Sequence, residues 1–266
     1  MIKELDYKGV TLKVSDEGTG IPVVLLHGYL ESLEIWKPFS NELKKHFRVF
    51  RIDIPGHGGS GMLEDIHSMD LMAQVVRFVL DAHFIDKCVL IGHSMGGYIT
   101  LAFVENYPER LLGFSLFHSS PFADTDEKKH DRDREIEMVL SGKKDLIFKM
   151  NIPKGFADDN LQTLKVEVSR AIDIAQKTPE KGIVAILEGM KTRPDRSEIL
   201  KSAQVPYLWI LGGKDNYIQF ETMKPRVEMN HNGELFVLEN SGHMGFLEEL
   251  DESLEKIISF VKKCAE

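Results

Sequence analysis

Apolar residues fall along this chain in two patterns: short unbroken runs, and longer stretches in which they recur every third or fourth position. The runs predict buried strands and the recurring pattern predicts helices with one apolar face. "IKELDYKGVTLKVSDEG" alternates about Lys8–Gly9 and predicts an N-terminal β-hairpin. "PVVLLHG" predicts a buried strand stopped by Gly28, "SLEIWKPFSNELKKH" a helix, and "FRVFRIDIPGHGGSG" a strand running into a glycine-rich loop. "SMDLMAQVVRFVLDAHF" predicts a helix capped by Ser68 or Asp70. "KCVLIGHS" then predicts a strand, "MGGYITLAFVENYP" a helix ended by Pro108, and "LLGFSLFHSS" another strand.

From about Pro121 to Ala203 the pattern changes to charged, helix-like sequence with no buried strand run. "EKKHDRDREIEMVL", "NLQTLKVEVSRAIDIAQK" and "EKGIVAILEGMK" predict three helices. After Ala203 the alternation resumes with "VPYLWILGGKD", a helix-like "QFETMKPRVEMN", "ELFVLENSGHM" and a last amphipathic helix. Strands alternating with helices predict an α/β fold, a mostly parallel central sheet of about eight strands flanked by helices. Residues 1–120 and 204–266 form its core in this reading, and residues 121–203 are an insertion lying over the carboxyl edge of the sheet.

The net charge of −9 over 266 residues argues against nucleic acid or an anionic membrane as the main partner, since both reward a basic surface. Solubility alone also accounts for that charge. Cys88 opens a strand run and reads as a small core residue, and Cys264 near the C-terminus reads as a free, exposed thiol. Two distant cysteines fit a reducing compartment. No signal-peptide pattern and no run long enough to span a membrane is visible, so a cytoplasmic location is expected.

Candidate chemistry gathers where reactive groups gather in open α/β sheets, beyond the carboxyl ends of the strands. Ser94 closes "KCVLIGHS", Asp215 follows "VPYLWILGGK", and His243 follows "ELFVLENSG". A serine hydroxyl needs a base beside it to attack at neutral pH, an imidazole supplies that base, and a carboxylate fixes the imidazole tautomer. Gly92 and Gly96 leave room for a sharp strand-to-helix turn that holds Ser94 in a strained conformation. The N–H of Met95, and that of Tyr29 after Gly28, are the candidate donors to a developing oxyanion.

"GHSMGG" has the Gly-x-Ser-x-Gly form, and the chain resembles the α/β-hydrolase superfamily over nearly its whole length. "LLHGYLES", "DIPGHGGSG", "GHSMGG", "ILGGKDNY" and "NSGHMGFLE" stand in that superfamily's order at compatible spacings. The resemblance implies a serine hydrolase of the small esterase, lactonase or carbon–carbon hydrolase kind, with 121–203 as a helical cap and no cofactor. It implies that Ser94 attacks a carboxylic ester or related acyl substrate, with His243 as base and Asp215 as its carboxylate. Some relatives carry the acid earlier, and Asp124 is the alternative here. A serine in the elbow speaks against the branches whose nucleophile is an aspartate.

Other residues have plainer readings. His27 is expected to hold the Gly28 loop by hydrogen bonding, and His93 to pack or support. "GHGGSG" lacks the Lys-Ser/Thr of a phosphate loop, and the ten histidines show no paired spacing for a metal. Met138, Phe148, Met150 and Phe156 read as core more readily than as an acyl pocket, and Lys191, Arg193 and Arg196 as a solvated loop. The substrate and the oligomeric state stay open. A hydrolase or lyase acting on a carbon–carbon bond or an activated acid, and a signalling or receptor-type protein retaining the three residues, are the rival readings. A cationic residue near Ser94 would point to an acidic substrate, and an apolar tunnel to acyl chains.

Overall fold

The computed structural model describes residues 2–266. Eight strands form one sheet: β1 (Ile2–Tyr7), β2 (Val10–Glu17), β3 (Pro22–Leu26), β4 (Arg48–Ile52), β5 (Cys88–His93), β6 (Leu111–Phe117), β7 (Tyr207–Gly212) and β8 (Gly233–Leu238). Their spatial order is β1-β2-β4-β3-β5-β6-β7-β8. β1 and β2 are antiparallel to their neighbours, and every pairing from β4 to β8 is parallel. The hairpin turns at Lys8 (φ 55°) and Gly9 (φ 80°), the two left-handed residues that a tight turn between right-twisted strands requires.

Alternation along the parallel strands supplies two cores. Val24, Leu26, Leu90, Phe114 and Trp209 point to one face, where they meet α2 (Met69–Ala82) and α3 (Met95–Asn106). Val23, Leu25, Ile91, Leu208 and Ile210 point to the other, packed by α1 (Lys37–Leu43) and α11 (Leu250–Lys263). Burial on both faces is why these strands read as unbroken apolar runs. Ser68 caps α2, its hydroxyl accepting from the Leu71 N–H at 3.1 Å.

Five helices lie between β6 and β7, where the sequence pattern predicts three: α4 (Asp126–Leu140), α5 (Lys144–Lys154), α6 (Lys165–Gln176), α7 (Glu180–Lys191) and α8 (Ser197–Ser202). The unexpected α5 buries Ile147 and Phe148 but exposes Leu146 and Met150, so it has no clean apolar stripe, and Pro153 stands in its last turn. Conversely, the helix expected in "QFETMKPRVEMN" shrinks to one turn, α9 (Phe220–Met223), followed by a 3₁₀ turn holding Pro225. A last short helix, α10 (Gly245–Glu248), precedes α11. Cys264 is not an exposed thiol. It is half-buried against Gly113 of β6, and burial pushes its pKa up to about 12.

Candidate active site

Ser94 joins β5 to α3 at φ 50° and ψ −113°, a left-handed backbone that a residue with a side chain adopts only when its surroundings hold it there. Its N–H donates to Phe117 O at 2.9 Å, and its carbonyl accepts from the Gly97 N–H at 2.9 Å and the Ser119 hydroxyl at 2.7 Å. A side chain at Gly92 would strike the Gly96 carbonyl, and a Cβ on Gly96 would lie 2.5 Å from Leu26 O. Those two glycines let α3 start directly against β3 and β5. The Ser94 hydroxyl has no hydrogen-bond partner among the described residues, and Ser94 and His243 line the same cavity of about 150 Å³.

His243 Nδ1 donates to Asp215 Oδ2 at 2.8 Å. Asp215 Oδ1 accepts from the N–H groups of Tyr217 at 2.7 Å and Ile218 at 2.9 Å. A carboxylate only accepts, so the imidazole proton sits on Nδ1 and Nε2 is left able to take one. Burial raises the Asp215 pKa, but His243, His118 and the Ile218 N–H outweigh it, and the carboxyl lies below its ordinary value. Burial pushes His243 down, and Asp215, helped by Glu31 and Glu248, more than reverses this, so the imidazole lies above its ordinary value. His118, at φ 47° after β6, places Nδ1 3.6 Å from Asp215 Oδ2, too far for a hydrogen bond. Its Nε2 accepts from the Gly245 N–H at 3.2 Å, and burial drives its pKa well down.

The loop after β3 is held by three buried groups. His27 Nε2 accepts from the Ile54 N–H at 3.0 Å, which puts its proton on Nδ1, 2.8 Å from Gly28 O. Glu31 Oε2 accepts from the Gly28 N–H at 2.6 Å and from His93 Nδ1 at 3.1 Å. His93 Nε2 lies 2.8 Å from the His243 carbonyl. One chain of contacts thus links the loop carrying Tyr29, the residue before Ser94 and the backbone of His243. Neither the Tyr29 nor the Met95 N–H has a partner among the described residues.

Asp124 does not approach His243. It is buried against Arg132 Nε and lies 2.7 Å from Arg193 Nη1. Arg193 and Arg196 are not solvated: Arg196 pairs with Asp70 and Glu105, each at 2.8 Å. Lys191 pairs with Asp133 and Glu188. Met138, Phe148, Met150 and Phe156 do not line the cavity. Its walls are instead Tyr29, Tyr98, Tyr217, Ile218 and Met190, with Lys128, Arg132, Glu135 and Asn151. Glu31, His118, Arg132 and Glu135 escape sequence reasoning. Of these only Glu31 gives a local signal, standing three residues after Gly28.

Residues 21–140 match the family model described as alpha/beta hydrolase fold. The chain is 28% identical over 251 residues to the dihydrolipoyllysine-residue acetyltransferase component of the acetoin cleaving system of Pseudomonas putida, a match covering 92% of this chain and 64% of that one. It is 27% identical to the pimeloyl-[acyl-carrier protein] methyl ester esterase of Aeromonas salmonicida, over 95% of this chain and 100% of that one. The structure of a thermophilic esterase from Thermogutta terrifontis, solved with malate bound, superposes with a TM-score of 0.93 at 27% identity and covers 99% of both chains. The chain has the α/β-hydrolase fold, and in sequence and structure it is similar to esterases built on that fold. No helix among the described residues is long and apolar enough to cross a membrane.

Proposed function

We propose that this protein hydrolyses a small, polar carboxylic ester through an acyl-enzyme on Ser94. The observation that carries the reading is the 2.8 Å His243–Asp215 pair opening on the cavity that holds the strained Ser94. His243 Nε2 takes the hydroxyl proton as Ser94 Oγ attacks the ester carbonyl, and the tetrahedral oxyanion is held by the Tyr29 and Met95 N–H groups. Collapse expels the alcohol, which leaves with the proton from His243. Water, deprotonated by the same nitrogen, then attacks the acyl-enzyme and releases the acid. Gly28 keeps the Tyr29 loop close, and Gly92 and Gly96 keep Met95 at the start of α3. Each oxyanion donor is expected to contribute about 3 kcal/mol to transition-state stabilisation.

Residues 121–203 act as the cap that shapes the pocket. Lys128, Arg132, Glu135, Asn151 and Met190, all on helices between β6 and β7, line the cavity and support this role. The malate of the Thermogutta esterase, a small dicarboxylate, supports a short polar substrate over a long acyl chain. So does a cavity of about 150 Å³, about the size that holds one benzene-sized molecule.

The test uses short 4-nitrophenyl esters and a fluorophosphonate probe. Wild type is expected to turn over the esters and take the label, and Ser94→Ala to lose both while its circular dichroism is unchanged. Absence of turnover and labelling in the wild type would sink the reading.

A further inference from the structure

Arg132 is a buried cation with unused donors on the wall of a reactive cavity. It is 7% exposed, its Nε and Nη2 groups face Asp124, and its Nη1 donors have no partner among the described residues. Four residues earlier on α4, Lys128 lines the same cavity and makes no ion pair among the described residues. Behind them Arg193 shares Asp124 and lies 3.8 Å from the centroid of Tyr98, another wall of the cavity. The opposing group is Glu135. It accepts from the Tyr29 hydroxyl at 2.9 Å and from Asn151 Nδ2 at 3.4 Å, and burial raises its pKa.

Around this end of the cavity, three cations therefore face two carboxylates, and burial shifts Lys128 and Glu135 alike toward their neutral forms, which leaves the two guanidiniums against Asp124. A buried guanidinium with free N–H groups in low dielectric is satisfied best by a planar anion that accepts from its open edge. The overall charge of −9 makes the local positive surplus the more specific, since the surface as a whole repels anions.

We infer that Arg132, assisted by Lys128, binds a carboxylate on the substrate, so that the preferred substrates are short monoesters of dicarboxylic acids. This rests on the ester-hydrolase reading and names its substrate class. Ser94 and Arg132 line one cavity of about 150 Å³, which matches a carboxylate only a few bonds from the scissile carbonyl. Arg132 is a specificity residue here. It recognises the end of the substrate that does not react, and the bonds made and broken remain those at Ser94.

The experiment compares monomethyl succinate with methyl levulinate, a neutral ester of the same length. In wild type the ratio of their kcat/KM values is expected to favour the succinate by about tenfold or more, the range of one hydrogen-bonded charge contact. Arg132→Lys keeps a cation for Asp124 but loses the planar fork, and should lower that ratio by about tenfold, mainly through KM. Lys128→Met, at the exposed start of α4, should lower it less. A wild-type ratio near one, or a ratio unmoved in both variants, overturns the inference. Calorimetric titration of Ser94→Ala with the same two esters decides the point without turnover. Tighter binding of monomethyl succinate, weakened by Arg132→Lys, supports the carboxylate site even if the hydrolase reading fails, and equal binding overturns it even if that reading holds.

Discussion

His243 feels burial, which favours its neutral form, and the carboxylates of Asp215, Glu31 and Glu248, which favour its charged form, and the carboxylates together win, Asp215 first among them. A general base must be neutral to accept a proton. Activity is therefore expected to fall as pH drops through the raised imidazole value, placing the acid limb of kcat/KM above the ordinary histidine pKa of about 6.5. Asp215→Asn removes the charge that raises it, so the limb should move to lower pH while kcat drops by about 10⁴, as when such a carboxylate loses its role on the tautomer. A pH–rate profile of both proteins checks both effects, and an unmoved limb would remove Asp215 from the role. Glu31 acts a step further back, by joining the Gly28 N–H to His93. Glu31→Ala removes the oxygen that accepts both contacts. It should lower kcat by as much as about 10², with KM little changed, because a misplaced oxyanion loop is felt in the transition state. Equal losses in kcat and stability, with KM rising, would mark Glu31 as structural only.

At the scale of elements, α4 does two jobs. Its N-terminus is capped by Thr125, whose hydroxyl accepts from the Lys128 N–H at 3.2 Å. Its inner face is tied to the segment before it by Asp124, shared between Arg132 and Arg193. Burial raises the Asp124 pKa, and the two guanidiniums outweigh it, so the folded carboxyl lies below its unfolded value. Its contribution to stability is then complete above the unfolded value of about 3.9 and is lost as pH falls through the folded one. Asp124→Asn leaves two buried cations facing an amide, and should destabilise the fold by roughly 3 kcal/mol at neutral pH. Urea unfolding at neutral pH and at pH 3 is the measurement: the gap between the two proteins should narrow in acid. A gap that stays constant would mean that the charge of Asp124 is not what anchors α4.

Taken as a whole molecule, the core layers were legible because burial on both faces leaves an unbroken apolar run, and helices over those faces must alternate every three or four residues. The parallel strands, α2 and α11 are visible this way, the hairpin through its period-two alternation, and α3, buried from Met95 to Val104 without a break, through the turn glycines before it and Pro108 after it. The helices between β6 and β7 were legible only in part. They bury one another's irregular flanks, as α5 does with Ile147 and Phe148, so no single periodicity runs through them. Ser94, Asp215 and His243 stand at strand ends, where chain order and turn glycines announce them. Arg132, Glu135 and Glu31 meet the cavity or its supports through contacts distant in sequence, the Tyr29–Glu135 bond alone spanning 106 positions. Arg193 and Arg196 looked like a solvated loop because their partners, Asp124, Asp70 and Glu105, lie far away in the chain.

The sequence by itself determined the layered α/β architecture and the places of Ser94, Asp215 and His243 after its strands, because periodicity and turn chemistry are local. Only the tertiary structure decided what surrounds them. It placed Asp124 against Arg132 and Arg193 and Asp215 against His243, lined the cavity with charged and phenolic groups beside Met190 and Ile218, and left Arg132 with unused donors. Those outcomes depend on which distant groups burial brings together, and on whether each buried charge finds a partner.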